Sequence, residues 1–201
     1  EPDAQVRLFL TFPMLKDPAR LRAAWEVAAE RIGEHLEAGR SVAFVTEGDP
    51  SLFSTFTYVR RAAAERWPDV PIEVVPGVSS VMAVPSVTGT PLADGQERIA
   101  ILPGNYGVED LGRVLDTFDT TVLMKIGPEM PQVVDAIASR GLLGRAVYVS
   151  KATMREQRVE RDLSSIRDSR GDCFAMVVVS RKEHSGVLAG DVPVRAREAK
   201  A

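Results

Sequence analysis

The stretch SVAFVTEGDPSLFSTF, residues 41–56, decides the fold class, because a short apolar run leads directly into a polar loop that contains glycine. The run 41–46 is short, apolar and bounded by that loop, which predicts a buried parallel strand. The run 72–75, followed by the loop PGVSS, repeats the arrangement. Helices are predicted before, between and after the two runs, and this alternation indicates an α/β fold with a parallel sheet.

Three helices are predicted in the first half of the chain. The first spans 17–39, with Asp17 as its N-cap. Its apolar stripe, at helical spacing, consists of Leu21, Trp25, Ala28, Ile32 and Leu36. The second helix is predicted to begin at Ser51, and the third at Ser79 or Ser80.

The turn-rich stretch PGNYG, residues 103–107, predicts a domain boundary. The first domain is predicted to span 1–103 and to include a strand at 99–102. Residues 104–106 are the predicted linker, and 107–195 form the predicted second domain. This second domain is expected to hold a mixed sheet, because strands cluster late in it, at 121–125, 146–150, 157–162 and 174–181.

The composition excludes several classes of protein. With 45% apolar and 26% charged residues the chain is globular, and a net charge of −3 argues against nucleic-acid binding by bulk charge. No apolar stretch approaches the roughly 18 residues that span a bilayer. We therefore expect a cytoplasmic protein with no membrane partner.

Cys173 is expected to be buried. His35 and His184 lie too far apart in the sequence to indicate a zinc site, so no metal is predicted.

The two loops carry the candidate chemistry, because each follows a strand end, where open α/β sheets bind ligands. Gly48 permits close approach of a ligand to the backbone, and Asp49 offers a hydrogen-bond acceptor or a base. The alternative is structural, with Asp49 or Ser51 capping the following helix. Two such loops side by side predict a small-molecule cleft, although neither has the sequence of a P-loop or of a dinucleotide-binding motif.

Longer stretches of the sequence resemble a known family. They are LTFPMLKDPARLRAAWEVAAERI, VAFVTEGDPSLFSTFTYVRR, EVVPGVSSVMAV, GTPLADGQERIAILPG, TVLMKIG and AVYVSKATMREQRV. From about residue 8 to 182 the chain is similar to the tetrapyrrole methylases, and most similar to the branch that methylates C20 of precorrin-2. The resemblance implies a two-domain α/β fold with a parallel-rich N-terminal sheet and a mixed C-terminal sheet. It also implies S-adenosylmethionine as the cofactor, bound in the cleft between the domains.

The resemblance further implies a set of cofactor contacts. The residues that match the family's contacts are Gly48, Asp49, Leu52, Phe53, Ser79, Ser80, Met124, Lys125, Ala152 and Thr153. Asp49 is also the candidate catalytic base for the proton left after methyl transfer, and a hydrogen bond to the cofactor is its competing role. By residue type alone, Met124 and Ala152 are more often core residues than ligand contacts.

The implied activity is S-adenosylmethionine-dependent C-methylation of a small tetrapyrrole, precorrin-2 or its cobalt-containing counterpart, at C20 during cobalamin biosynthesis, by a homodimer. The alternatives are methylation of another corrin position or of uroporphyrinogen, and a non-catalytic cofactor-binding module.

Three features depart from the family pattern. The family's opening loop, of the form GVGPGDPELLT, is absent, so its first strand and helix are expected to be missing from the sequence given. The family's ERAT is SKAT at 150–153, and Pro85 interrupts a normally alanine-rich helix.

Overall fold

The computed structural model describes residues 5–13, 17–104 and 107–182. The chain divides into two compact units, unit 1 (Glu1–Ser79) and unit 2 (Ser80–Ala201). Unit 1 contains the helices α1 (Pro18–Glu37) and α2 (Phe56–Arg66). The elements of unit 2 are, in chain order, α3 (Ser80–Thr88), β1 (Ile99–Pro103), α4 (Val108–Thr117), β2 (Thr120–Met124), α5 (Met130–Ala138), β3 (Ala146–Ser150), β4 (Arg158–Glu160) and β5 (Ala175–Ser180).

Helix α1 confirms the first predicted helix. The Asp17 carboxylate accepts a hydrogen bond from the backbone N–H of Ala19 at 2.9 Å, which satisfies one of the free donors at the helix start. Beyond the other end, Gly39 has a φ of 72°, the left-handed conformation that follows many helices. Ala28 and Ile32 of the predicted stripe are buried, so this face of the helix packs within unit 1.

The two apolar runs of unit 1, 41–46 and 72–75, have no regular secondary structure and join no sheet among the described residues. The parallel pairing predicted for them is therefore not seen there, and Val45 and Val75 are 91% and 71% exposed. Together with α1 and α2 the runs line a groove of about 680 Å³. A strand requires a neighbouring backbone for its hydrogen bonds, and an apolar pattern does not specify that neighbour.

Helix α2 begins at Phe56 rather than at Ser51, which corrects the prediction. Phe53 has a φ of 52°, which no residue inside a right-handed helix adopts. The hydroxyl of Ser51 donates to Asp49 instead of capping the helix. The helix ends at Arg66, just before Trp67.

The sheet of unit 2 is mixed, as predicted, with the strand order β1-β2-β5-β3-β4. β1 and β2 are parallel, and the other neighbours are antiparallel. Strands β2 and β3 flank β5, so that Met124 and Val149 both pair with Met176. The carboxyl ends of β2 and β3 consequently lie at the same edge of the sheet, beside the start of β5.

The core of unit 2 lies between this sheet and α4 and α5. Alternate residues of β5, Ala175, Val177 and Val179, contribute to it, as the two-residue period of a strand requires. Leu115 of α4 and Ile137 of α5 are almost fully buried against them. All residues of β2, β3 and β5 are buried, which is why their sequences are nearly continuous apolar runs.

Asp119 joins three segments at the opposite edge of the sheet. Its carboxylate accepts a hydrogen bond from the backbone N–H of Arg98 at 3.0 Å and lies 2.9 Å from Nζ of Lys182. These two donors lower the pKa of Asp119 to about 2. The start of β2 is thereby tied to the residue before β1 and to the chain just after β5.

Two further predictions need correction. Strand β1 pairs with β2, with Ile99 opposite Thr120, so the strand predicted at 99–102 in the first domain belongs to the sheet of unit 2. Residues 105–106 of the predicted linker lie outside the described residues. Cys173 is exposed in the turn before β5, because the buried run begins only at the strand itself.

No helix in the described part of the chain is long and apolar enough to cross a membrane.

Candidate functional site

In unit 1 the two predicted loops meet at Asp49. One carboxylate oxygen, Oδ1, accepts hydrogen bonds from the backbone N–H of Ser51 at 2.9 Å and from the Ser51 hydroxyl. The other, Oδ2, accepts from the backbone N–H of Gly77 at 3.0 Å. The Ser51 hydroxyl, the Ser51 N–H and the Gly77 N–H, in that order, lower the pKa of Asp49 from its ordinary value. The carboxylate is therefore held ionised between the loops.

The backbones of the two loops also touch. A Cβ atom added at Gly77 would come closer to the carbonyl oxygen of Gly48 than the 3.0 Å that real Cβ atoms keep. Gly48 itself has a φ of 71°, a conformation that favours glycine. Gly77 is thus required for the close contact between the loops, and Gly48 suits the backbone conformation on the other side of that contact. The sequence predicted instead that Gly48 permits close approach of a ligand.

The hydroxyl groups around these loops divide into two sets. Ser54 Oγ lies 3.0 Å from the hydroxyl of Thr46 and accepts from the N–H of Phe56 at 3.2 Å, so it stabilises the start of α2. Ser79 is half-buried and Ser80 is exposed at the start of α3. Only this second pair was predicted to contact a cofactor.

The candidate residues of unit 2 lie at the edge where β2 and β3 end. Met124, the last residue of β2, is buried, whereas the next residue, Lys125, is exposed and has a φ of 56°. The N–H of Gly104 donates to the carbonyl of Met124. A Cβ atom at Gly104 would lie 2.6 Å from Cα of Ile126, so β1 and the turn after β2 are in close backbone contact.

The end of β3 has a similarly tight turn. Lys151 and Thr153 have φ values of 49° and 67°. The N–H of Lys151 donates to the carbonyl of Phe174 at 2.8 Å, and the N–H of Thr153 donates to Oε1 of Gln157 at 2.8 Å. These bonds fix the backbone of the segment that contains Ala152, which is half-buried.

A family model, Tetrapyrrole (Corrin/Porphyrin) Methylases, matches residues 2–166. The chain belongs to this family. It is 34% identical over 155 residues to a precorrin-2 C(20)-methyltransferase of Sinorhizobium sp, covering 77% of this chain and 62% of that protein. It is 31% identical over 173 residues to a cobalt-precorrin-2 C(20)-methyltransferase of Salmonella typhimurium, covering 85% of this chain and 71% of that protein. The chain thus spans less than two thirds of the length of the Sinorhizobium relative.

The tetrapyrrole methylase fold is also found in a solved structure, a uroporphyrin-III C-methyltransferase of Thermus thermophilus complexed with S-adenyl homocysteine. Its TM-score with this chain is 0.58 at 20% sequence identity, and the match covers 78% of this chain and 73% of that one. At this identity the likeness concerns the fold alone. It confirms the predicted two-domain α/β fold.

Backbone strain in this tetrapyrrole methylase coincides with the predicted site. Among the described residues, the non-glycine residues with a positive φ are Phe53, Lys125, Lys151 and Thr153. Such conformations are costly for residues with a Cβ and cluster at functional sites. Phe53, Lys125 and Thr153 were predicted as cofactor contacts, whereas Lys151 was missed. Its only sequence signal is its position in the SKAT segment, because nothing in a lysine indicates a left-handed backbone.

In the described part of the chain, no group of three or more His, Cys, Asp or Glu side chains is arranged to hold a metal ion.

Proposed function

We propose that this protein is an S-adenosylmethionine-dependent methyltransferase that acts at C20 of precorrin-2 or of its cobalt-containing counterpart, in cobalamin biosynthesis. The observation that carries the proposal is the similarity, over most of the chain, to proteins named for C20 methylation of precorrin-2 and cobalt-precorrin-2. The geometry supports it, because the predicted loops of unit 1 are joined to each other and the predicted residues of unit 2 share one sheet edge.

The residues present suit S-adenosylmethionine, which combines an adenine ring, a ribose and an amino-acid group. In unit 1, Phe53 is 46% exposed and offers an apolar surface, and Ser79 offers a hydroxyl. In unit 2, the left-handed backbones at Lys125 and Thr153 turn successive peptide groups in different directions at the sheet edge. Exposed backbone donors and acceptors with apolar walls are typical of small-molecule sites.

The residues that we propose as cofactor contacts are those of the sequence prediction: Gly48, Asp49, Leu52, Phe53, Ser79 and Ser80 in unit 1 and at the start of unit 2, and Met124, Lys125, Ala152 and Thr153 at the sheet edge. When bound, S-adenosylmethionine supplies an electrophilic methyl group. The reaction is an in-line displacement by an electron-rich carbon, so the protein's part is to orient the two reactants and to exclude water. The fixed turns at Lys125 and Thr153 serve this purpose, because a rigid backbone holds its contacts without reorganisation.

Calorimetric titration with S-adenosylhomocysteine, the expected product, tests the cofactor assignment. Binding at one site per chain is the expected result, and absence of binding contradicts the methyltransferase proposal. A turnover assay with precorrin-2 and with its cobalt form then identifies the substrate. Methylation at a carbon other than C20 contradicts only the assignment to the C20 branch.

The homodimer, which the family resemblance implies, and the cytoplasmic location, which was expected from the sequence composition, are parts of the same proposal. Analytical ultracentrifugation tests the first: a mass of twice 21.9 kDa for this chain is the expected result. A monomer at micromolar concentration contradicts it.

A further inference from the structure

We infer that Asp49 is a positioning residue, whose carboxylate fastens the GDP loop to the PGVSS loop, and that it does not accept the substrate proton. The inference rests on the proposed function for its catalytic part, since it concerns which group removes the proton after methyl transfer. Its structural part stands without the function, because Asp49, Ser51 and Gly77, which form the link, all belong to unit 1.

The geometry first shows that the protein engages both carboxylate oxygens of Asp49. Both of its oxygens accept hydrogen bonds, two from Ser51 and one from the backbone of Gly77, which is 28 residues away in the sequence. A carboxylate offers about four lone-pair positions, and three of them are occupied here. The bond to Gly77 joins the two loops directly. An asparagine at position 49 has one acceptor oxygen, so it cannot accept from the N–H groups of Ser51 and Gly77 on both sides as the carboxylate does.

The contact between Gly48 and Gly77 explains why such a link is needed. Their backbones are too close to admit a Cβ atom at Gly77. Where two backbones come this close, no side chain lies between them to fix their relative position. A specific hydrogen bond to a backbone group is therefore required to hold the two loops in one arrangement. Asp49 supplies it from the residue adjacent to Gly48.

The protonation chemistry leads to the same conclusion. A general base requires a free lone pair directed at the proton and a pKa near the working pH. The three donors around Asp49 favour its charged form and lower its pKa. A proton on the Asp49 carboxylate would compete with the three hydrogen-bond donors that hold the loops together. Asp49 is therefore a weak base, and its main role is to join the two loops.

Hydrogen exchange of the Gly77 amide in the full chain tests the link without cofactor. In Asp49→Ala we expect this amide to exchange at least about tenfold faster, because a hydrogen bond to a charged acceptor is lost. Asp69→Asn is the matched control, because Asp69 is an exposed aspartate of unit 1 and this change removes one negative charge elsewhere. Unchanged exchange at Gly77 in Asp49→Ala overturns the inference.

Kinetics distinguish positioning from catalysis. In Asp49→Asn, which keeps the size of the side chain, we expect the Kd for S-adenosylhomocysteine to rise by about tenfold while the pH profile of kcat keeps its shape. Loss of the ascending limb of that profile, with Kd unchanged, identifies Asp49 as the base and overturns the inference. If the wild-type protein fails to bind S-adenosylhomocysteine, the proposed function fails, whereas the exchange of the Gly77 amide still decides the structural link.

Discussion

Replacement of Gly104 by alanine tests the close backbone contact at the sheet edge of unit 2. The added Cβ atom would lie 2.6 Å from Cα of Ile126, whereas real Cβ atoms stay at least 3.0 Å from their neighbours. The two backbones must therefore separate by about 0.4 Å, the difference between these distances. Ile126 cannot yield freely, because it is completely buried in the core cluster. The backbone of Gly104 has no positive φ, so the steric contact is the main cause of the expected effect.

The expected cost is that of overpacking a well-packed region, about 1–3 kcal/mol in the free energy of unfolding. Urea unfolding followed by circular dichroism measures this difference directly. Because Gly104 also donates to the carbonyl of Met124, we expect affinity for S-adenosylhomocysteine to fall as well. Calorimetry on the folded variant measures that second effect.

Gly144→Ala is the control for this experiment. Apart from its two chain neighbours, no described residue has an atom within 4 Å of a Cβ atom added at Gly144, and its φ is not positive. The same substitution there is expected to be neutral or to stabilise the protein by up to about 1 kcal/mol, since it restricts the unfolded chain. A Gly104→Ala protein as stable as Gly144→Ala would refute the packing argument.

Three further substitutions test the account of unit 2. In Asp119→Asn we expect lower stability at pH 7. In the wild type, the contribution of Asp119 to the free energy of unfolding should be complete above its unfolded pKa of about 3.9 and lost as the pH falls to about 2. Thermal unfolding measured from pH 7 to pH 2 should show a weaker pH dependence of stability in Asp119→Asn than in the wild type. Thr120→Val should raise stability by about 1 kcal/mol in urea unfolding, because the buried Thr120 hydroxyl has no hydrogen-bond partner among the described residues, and lower stability would refute this. Ile137→Ala should cost about 2–5 kcal/mol, since the side chain is completely buried, and a cost below 1 kcal/mol would contradict the core assignment.

Local signals in the sequence predicted several elements well. The cap at Asp17 and the glycine at position 39 marked both ends of α1, and the run 146–150 is β3 as predicted. These predictions succeed because caps and buried strands depend on nearby residues. The runs 41–46 and 72–75 carry an equally apolar pattern, yet join no sheet among the described residues, because pairing depends on a partner segment that the pattern does not specify.

Long-range contacts explain what the sequence left open. The strand at 99–102 was found, but its membership of the second sheet depends on pairing with β2, which composition does not reveal. The same applies to the candidate site. The sequence pattern indicated the two loops that contain Asp49 and Gly77, but the hydrogen bond between these residues spans 28 residues and appears only in three dimensions. The left-handed backbones at Lys125 and Lys151 likewise follow from the packing around them, since lysine does not favour that conformation.

The most direct test of the central claim is the transfer of a labelled methyl group. The protein would be incubated with S-adenosylmethionine carrying a ¹³C methyl group and with precorrin-2 or its cobalt form, and the product examined by ¹³C NMR. The account predicts a single labelled methyl group on C20 and stoichiometric formation of S-adenosylhomocysteine. Absence of label from both tetrapyrroles, with S-adenosylhomocysteine bound by the protein, would contradict the account and favour a cofactor-binding protein without this activity.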